Sequence, residues 1–241
     1  MSVMKLSVVL WTTFSFLLSA CSDSFTDARD GQSYDVVKIG EQIWMAENLN
    51  YETETSACPD GDSRNCKRMG QLYTWAEAQT VCPEGWRLPM KADFEALISA
   101  VNPAMSVDAA LSHTQSRAGN SGAVPDASSA VLDNKAGAVS NKVGAALKAK
   151  DGWFKKGNGT NDFGFKALPA GYRGAISKAD DGSISGGKFD GIGGYAYFWS
   201  ATEDPENPKS NAYYLFLSFN SDAASLNAFA KEDYRSVRCV R

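Results

Sequence analysis

Five cysteines, at positions 21, 58, 66, 82 and 239, constrain this chain more than any other residue type. An odd number cannot pair completely, so one of them needs a separate fate. Cys21 stands apart by its setting. It follows Lys5 and a run of 13 apolar or hydroxylic residues, Leu6–Leu18. That run is too short for a resident membrane helix, which needs about 20 residues, and has the length of the apolar region of a secretory signal. The other four cysteines are then an even set in an exported chain, where an oxidising compartment favours disulfides over thiols. Four cysteines allow three pairings. Cys58 and Cys66 flank the turn-rich stretch Pro59-Asp60-Gly61-Asp62-Ser63-Arg64-Asn65 and can close a small loop, which would leave Cys82 with Cys239. Loop closure would contribute roughly 2.6 kcal/mol for the short loop and about 5 kcal/mol for the long one, less any strain. Cys58 and Cys66 are too widely spaced for a zinc-ligand pair, so no metal site is expected.

The run Leu18-Ser19-Ala20-Cys21 resembles the lipobox of bacterial lipoproteins: an apolar residue, two small ones and a cysteine. The resemblance implies that residues 1–20 are a signal peptide. Cys21 would become an acylated N-terminus carrying diacylglyceryl and a palmitate-type chain, and residues 21–30 would form a polar tether. Two or three acyl chains hold a membrane far more firmly than one, because each buried CH₂ contributes about 0.8 kcal/mol. Ser22, rather than Asp, follows the cysteine. By resemblance to Gram-negative lipoproteins this implies the outer membrane, on its periplasmic or cell-surface face.

With 44% hydrophobic and 22% charged residues the chain reads as globular. A net charge of -4 argues against a nucleic-acid partner. The single histidine, His113, excludes His-rich metal sites. Beta-branched and aromatic residues on either side of Gly40-Glu41 predict a hairpin of Tyr34–Ile39 with Gln42–Met45. A helix over Trp75–Val81 opens on a capping box, Thr74 with Glu77. Phe94, Leu97, Ile98 and Val101 form one apolar stripe on a second helix, Lys91–Val101. Asn102–Asn141 has no aromatic residue and reads as a surface insertion, in which His113 is expected to be exposed and idle. A short helix is expected over Ala145–Lys150. The eight glycines of Gly171–Gly194 predict long loops. Strands follow over Tyr195–Ser200 and Tyr213–Phe219, the second apolar on both faces and so central in its sheet. Ser236–Arg241 is the last strand. No internal repeat is present, and residues 31–241 read as one domain.

At this point a family resemblance becomes specific. Its motifs run in order from Asp30-Gly31-Gln32-Ser33-Tyr34 through Trp44-Met45-Ala46-Glu47-Asn48-Leu49-Asn50 and Gly70-Gln71-Leu72-Tyr73-Thr74-Trp75. They continue with Cys82-Pro83-Glu84-Gly85-Trp86-Arg87-Leu88-Pro89, Asn161-Asp162-Phe163-Gly164-Phe165 and Leu168-Pro169-Ala170-Gly171. Phe198-Trp199-Ser200-Ala201-Thr202-Glu203 and Ser236-Val237-Arg238-Cys239-Val240-Arg241 complete the set. Together they resemble the Fibrobacter succinogenes major paralogous domain over Asp30–Arg241, apart from the insertion. Met90 stands where a Ser or Thr helix cap is more typical. Such domains are similar in layout to the C-type-lectin-like fold shared with formylglycine-generating enzymes. The resemblance therefore implies an α+β fold with two short helices packed on small antiparallel sheets and long Gly-rich loops. A disulfide in that fold ties the first helix to the last strand, which selects Cys82 with Cys239 and leaves Cys58 with Cys66.

Candidate sites are sparse. With every cysteine assigned and His113 in the insertion, no activated nucleophile with a base is seen, and no catalytic residue or cofactor is expected. Glu206-Asn207-Pro208 has the wrong order for a lectin calcium site. Asp180-Asp181-Gly182-Ser183 lacks EF-hand spacing, and Asn158-Gly159-Thr160 is read as a turn. Sugars stack on exposed aromatic rings, so Tyr172, Tyr195, Tyr197, Trp199 and Tyr213 are the candidate ligand-binding residues, while Trp44, Trp75, Trp86 and Trp153 are expected to be structural. The expected function is a non-catalytic, lipid-anchored module that binds polysaccharide or an envelope protein. The alternatives are an enzyme related to the formylglycine-generating fold and a structural lipoprotein without a small ligand.

Overall fold

The computed structural model describes residues 23–101, 142–178 and 183–241. Cys21, the signal segment, the 102–141 insertion with His113, and residues 180–182 of the acidic turn lie outside them. The described chain is α+β. Strands β1 (Ser24–Thr26), β2 (Ser33–Ile39) and β3 (Gln42–Met45) form an antiparallel sheet in chain order. The expected hairpin is present, with Ile39 opposite Gln42 and Gly40 turning at φ 61°.

A 3₁₀ turn (Pro59–Gly61) leads into α1 (Ser63–Met69). Its turn-rich sequence predicts only a small loop there. The helix forms because Asp62 caps the backbone N–H of Arg64, and because the Cys58–Cys66 bridge, with Cα atoms 4.9 Å apart, pins its second turn. After β4 (Leu72–Tyr73), helix α2 (Trp75–Ala78) carries the predicted capping box but covers a single turn, shorter than the expected Trp75–Val81. Its end is close to Cys82, which is bonded to Cys239 (Cα–Cα 5.9 Å). Both bridges are those the family resemblance implied.

Helix α3 (Lys91–Val101) has its predicted bounds and buries Phe94, Leu97 and Ile98. Met90 offers no side-chain cap, and two other groups replace it. Asp93 accepts the Met90 N–H at 2.6 Å, and Thr202, from a distant strand, accepts the Lys91 N–H at 3.0 Å. Helix α4 (Val143–Leu147) stops short of the expected Lys150. Lys148 turns extended to bridge Ala167, and its buried ammonium donates to the carbonyls of Ser218 and Ser221.

The Gly-rich stretch is more ordered than its composition suggests. It folds into β5 (Ala170–Arg173) paired with β8 (Phe189–Ile192), and β6 (Ile176–Lys178) paired with β7 (Ile184–Gly186). Short strands of three or four residues thus interrupt the long loops expected there. Glycine serves here for close approach: at Gly171 a Cβ would lie 2.3 Å from the Asp190 carbonyl oxygen.

The main sheet joins β9 (Tyr195–Glu203), β10 (Asn211–Ser218), β11 (Ala224–Ala230), β12 (Arg235–Ser236) and β4 in the order β11-β10-β9-β12-β4. Strand β10 lies inside the sheet, as its two apolar faces predicted. One face, with Phe198, Leu215, Leu217 and Leu226, packs with α3, Trp44 and Phe165 in the larger core. The other contributes Tyr197, Trp199 and Tyr214 to a second core with Tyr73, Met45 and Trp86. Residues 235–241 thread between the two sheets. Ser236 runs parallel to Phe198, Val240 bridges both Trp44 and Arg87, and Arg238 is fully buried. No helix of the described residues is long and apolar enough to cross a membrane.

Candidate functional site

Strand pairing brings the candidate aromatics into register. Directly opposed residues in an antiparallel pair share a face. Tyr197, Phe216 and Ser225 therefore make one cross-strand line, and Trp199, Tyr214 and Asn227 the next. Tyr195 stacks on Phe216 with ring centres 5.7 Å apart, and Tyr197 meets Phe216 at 5.1 Å. Tyr172, delivered by β5, closes on Tyr197 at 5.4 Å. Phe219 and Phe154 extend the row beyond Tyr195, and Phe154 is 54% exposed.

Burial sorts these residues into two roles. Trp199 has no exposed surface and gives its indole N–H to the Tyr73 carbonyl, while Tyr197 is 5% exposed. Neither can receive a ligand from solvent, so neither is a contact residue, contrary to the expectation from sequence. They form the buried base of the row. Tyr172 and Tyr195 are half-buried and keep an open edge. Tyr213 belongs elsewhere. It opposes Ala228 on the α3 side of the sheet, where the Lys91 ammonium lies 4.9 Å from its ring. The structure thus brings together four of the five candidates and separates Tyr213. Trp44, Trp86 and Trp153 are buried, and Trp75 donates to the Ser200 carbonyl, so all four are structural.

Three surface groups escaped the sequence reading. Phe216 is half-buried at the centre of the row, and Ser225 with Asn227 lies beside it on the edge strand β11. The Asn227 amide donates to Ser225 at 3.0 Å, leaving further donor and acceptor capacity on both side chains. Phe216 was visible as one half of a two-sided pattern. Ser225 and Asn227 carried no such signal, because β11 has few large apolar residues and takes its structure from β10.

Below the row sits Arg235, 2% exposed, paired with Asp233 at 2.9 Å and surrounded by Tyr214, Trp199, Tyr197 and Phe229. Burial pushes the Asp233 carboxyl above its usual range despite Arg235. Burial also raises the Tyr172, Tyr197 and Tyr214 hydroxyls, which stay protonated and able to donate.

The acidic stretch after β9 is a closed turn. Asp204 accepts the Glu206 N–H, and Lys231 donates to the Pro208 carbonyl at 2.6 Å. Among the described residues no group of three or more His, Cys, Asp or Glu side chains is placed to hold a metal ion.

A separate polar groove of about 490 Å³ opens between the start of β2, the end of α1 and residues 166–169. Asn48 lines it, and the fully buried Arg238 lies behind Asn48. Arg238 donates to Asn48 Oδ1 and to the Met45 and Phe165 carbonyls, and Asn48 in turn donates to the Met69 carbonyl. Burial pushes Arg238 down to about 9, against the opposing pull of the Glu47 carboxylate.

The family model described as the Fibrobacter succinogenes major domain matches residues 37–241. No curated protein and no solved structure matches the chain.

Proposed function

The chain belongs to the Fibrobacter succinogenes major domain family, and from that membership we propose a lipid-anchored, non-catalytic binding module of the bacterial envelope that takes polysaccharide on its aromatic row. The observation that carries this reading is the row itself: Tyr195 stacked on Phe216, open at the edge, with Ser225 and Asn227 alongside. Sugar rings present C–H faces to aromatic surfaces and hydroxyls to neighbouring polar groups. A flat apolar strip flanked by an amide and a hydroxyl offers both. The reading extends to a C-type-lectin-like fold, supported by the short helices on small sheets and by the bridge from Cys82 near α2 to Cys239.

Anchoring through Cys21 rests on Leu18-Ser19-Ala20-Cys21. Cys21→Ala should move the protein from the membrane fraction to the soluble fraction, and continued membrane retention would refute lipidation. A polysaccharide array probed with the wild-type chain and with Phe216→Ala and Tyr195→Ala tests the row. The expected result is a glycan signal lost in both variants while Tyr213→Ala, on the other face, keeps it. A blank array with wild type, or a signal insensitive to Phe216, overturns the reading in favour of a protein partner or a structural role.

A further inference from the structure

We propose that the polar groove at the end of α1 is a second binding site, for a uronic acid residue of an acidic oligosaccharide. At about 490 Å³ it lies within the size range of small-ligand clefts, about 300–1,000 Å³, and it shares no lining residue with the aromatic row. One wall carries Lys67 and Arg68, both exposed and, among the described residues, without an acidic partner. Arg68 has only a 3.9 Å contact to the Met69 sulfur. Both line the groove and neither is committed to a carboxylate, which suits an anionic ligand.

The rest of the lining narrows the ligand further. Asp151 lies in an exposed turn and, among the described residues, has no ion pair, while Glu47 lies 4.0 Å from Lys166 and accepts the Asp35 N–H at 3.3 Å. Asn50 gives its amide N–H to Gln32, while its Oδ1 is buried without a donor. A buried acceptor left open costs free energy until a donor reaches it, and a sugar hydroxyl is such a donor. A small inorganic anion would meet the carboxylates of Asp151 and Glu47 unfavourably. A neutral sugar would gain nothing from the charges of Lys67 and Arg68. A uronate satisfies both walls, with its carboxylate on the cations and its hydroxyls on Asp151, Asn50 and Gln32.

Isothermal titration of the full chain with tetragalacturonic acid and tetramannuronic acid, against neutral galactotetraose and sodium sulfate, tests this. The expected result is binding of at least one uronate, weakening with salt. It should fall by about tenfold, equivalent to about 1.4 kcal/mol, in Lys67→Gln/Arg68→Gln, which removes both exposed charges. Asp151→Asn should weaken it also, and Phe216→Ala should leave it unchanged. Thermal unfolding of each variant confirms an intact fold. No heat from either uronate, equal binding of galactotetraose, or displacement by equimolar sulfate overturns the proposal. Loss of uronate binding in Phe216→Ala would assign it to the aromatic row instead.

Discussion

The guanidinium carbon of Arg235 lies 4.1 Å from the centre of the Tyr214 ring, and both side chains are buried. The aromatic row therefore rests on a cation whose charge is met by π faces and by one carboxylate, Asp233. That carboxylate also accepts the Ala175 N–H at 3.1 Å, so the same ion pair ties the β5–β8 hairpin and its Tyr172 to the main sheet.

Removing Arg235 should reveal this coupling. Arg235→Met leaves Asp233 buried without its counter-charge, which costs about 3–5 kcal/mol. Burial already raises the Asp233 carboxyl, and loss of Arg235 raises it further. A raised folded-state value favours the protonated form, so stability is fullest at low pH and is lost as pH rises through that value. Urea unfolding should find Arg235→Met more destabilised at pH 7 than at pH 5, with Asp233→Asn added to it restoring much of the loss. Equal destabilisation at both values would contradict the account.

Asp93 acts in the opposite direction. Burial pushes its carboxyl up, but the Arg87 ion pair, the Met90 N–H and the Gln42 amide outweigh that and hold it below the usual value of 3.8. A lowered value stabilises the fold above the unfolded-chain value, and the benefit is lost as pH falls through the folded one. Asp93→Asn should reduce stability at pH 6 and flatten its decline on acidification. Denaturant midpoints across that range measure it.

The start of α3 offers a gain. Met90 is 53% exposed and accepts helix hydrogen bonds only through its carbonyl, from Asp93 and Phe94. Met90→Thr adds a side-chain acceptor at the N-cap and should stabilise by about 0.5–1 kcal/mol. Thr202→Ala, which strips the substitute cap from Lys91, should cost about 1 kcal/mol. Both shifts can be read from chemical denaturation. No change in Thr202→Ala would mean that water replaces the hydroxyl there.

The two bridges should contribute unequally. Cys82→Ser/Cys239→Ser opens a loop of sequence separation 157 and Cys58→Ser/Cys66→Ser one of 8. Loop-closure entropy gives losses of up to about 5 and roughly 2.6 kcal/mol. Calorimetry of the two paired variants ranks them, and the reverse order would contradict the entropic origin.

Local chemistry was legible where it acts alone. The hairpin around Gly40, the Thr74–Glu77 box and the α3 stripe each depend on neighbours within a few residues, and each was read correctly. What escaped has other origins. Strand β11 owes its form to its neighbour β10, α1 forms on a local aspartate cap and a short disulfide within a turn-rich composition, and the α3 cap comes from Thr202, more than a hundred residues downstream. The candidate site shows the same division. Aromatic residues were picked out by type, but type alone cannot separate Trp199 and Tyr197, buried beneath the row, from Tyr195 at its surface. Tyr213 differs from its neighbour Tyr214 only in the alternation that sends it to the opposite face.

The threading of residues 235–241 between the two sheets bears on how the molecule is made. Ser236 joins β9 to β4, Arg238 fills the space between Met45 and Phe165, and Val240 links Trp44 to Arg87. These residues leave the ribosome after every strand they connect. A nascent chain therefore cannot complete its central sheet until residues 235–241 have emerged, and a product truncated before Arg235 would lack the piece that locks the rest.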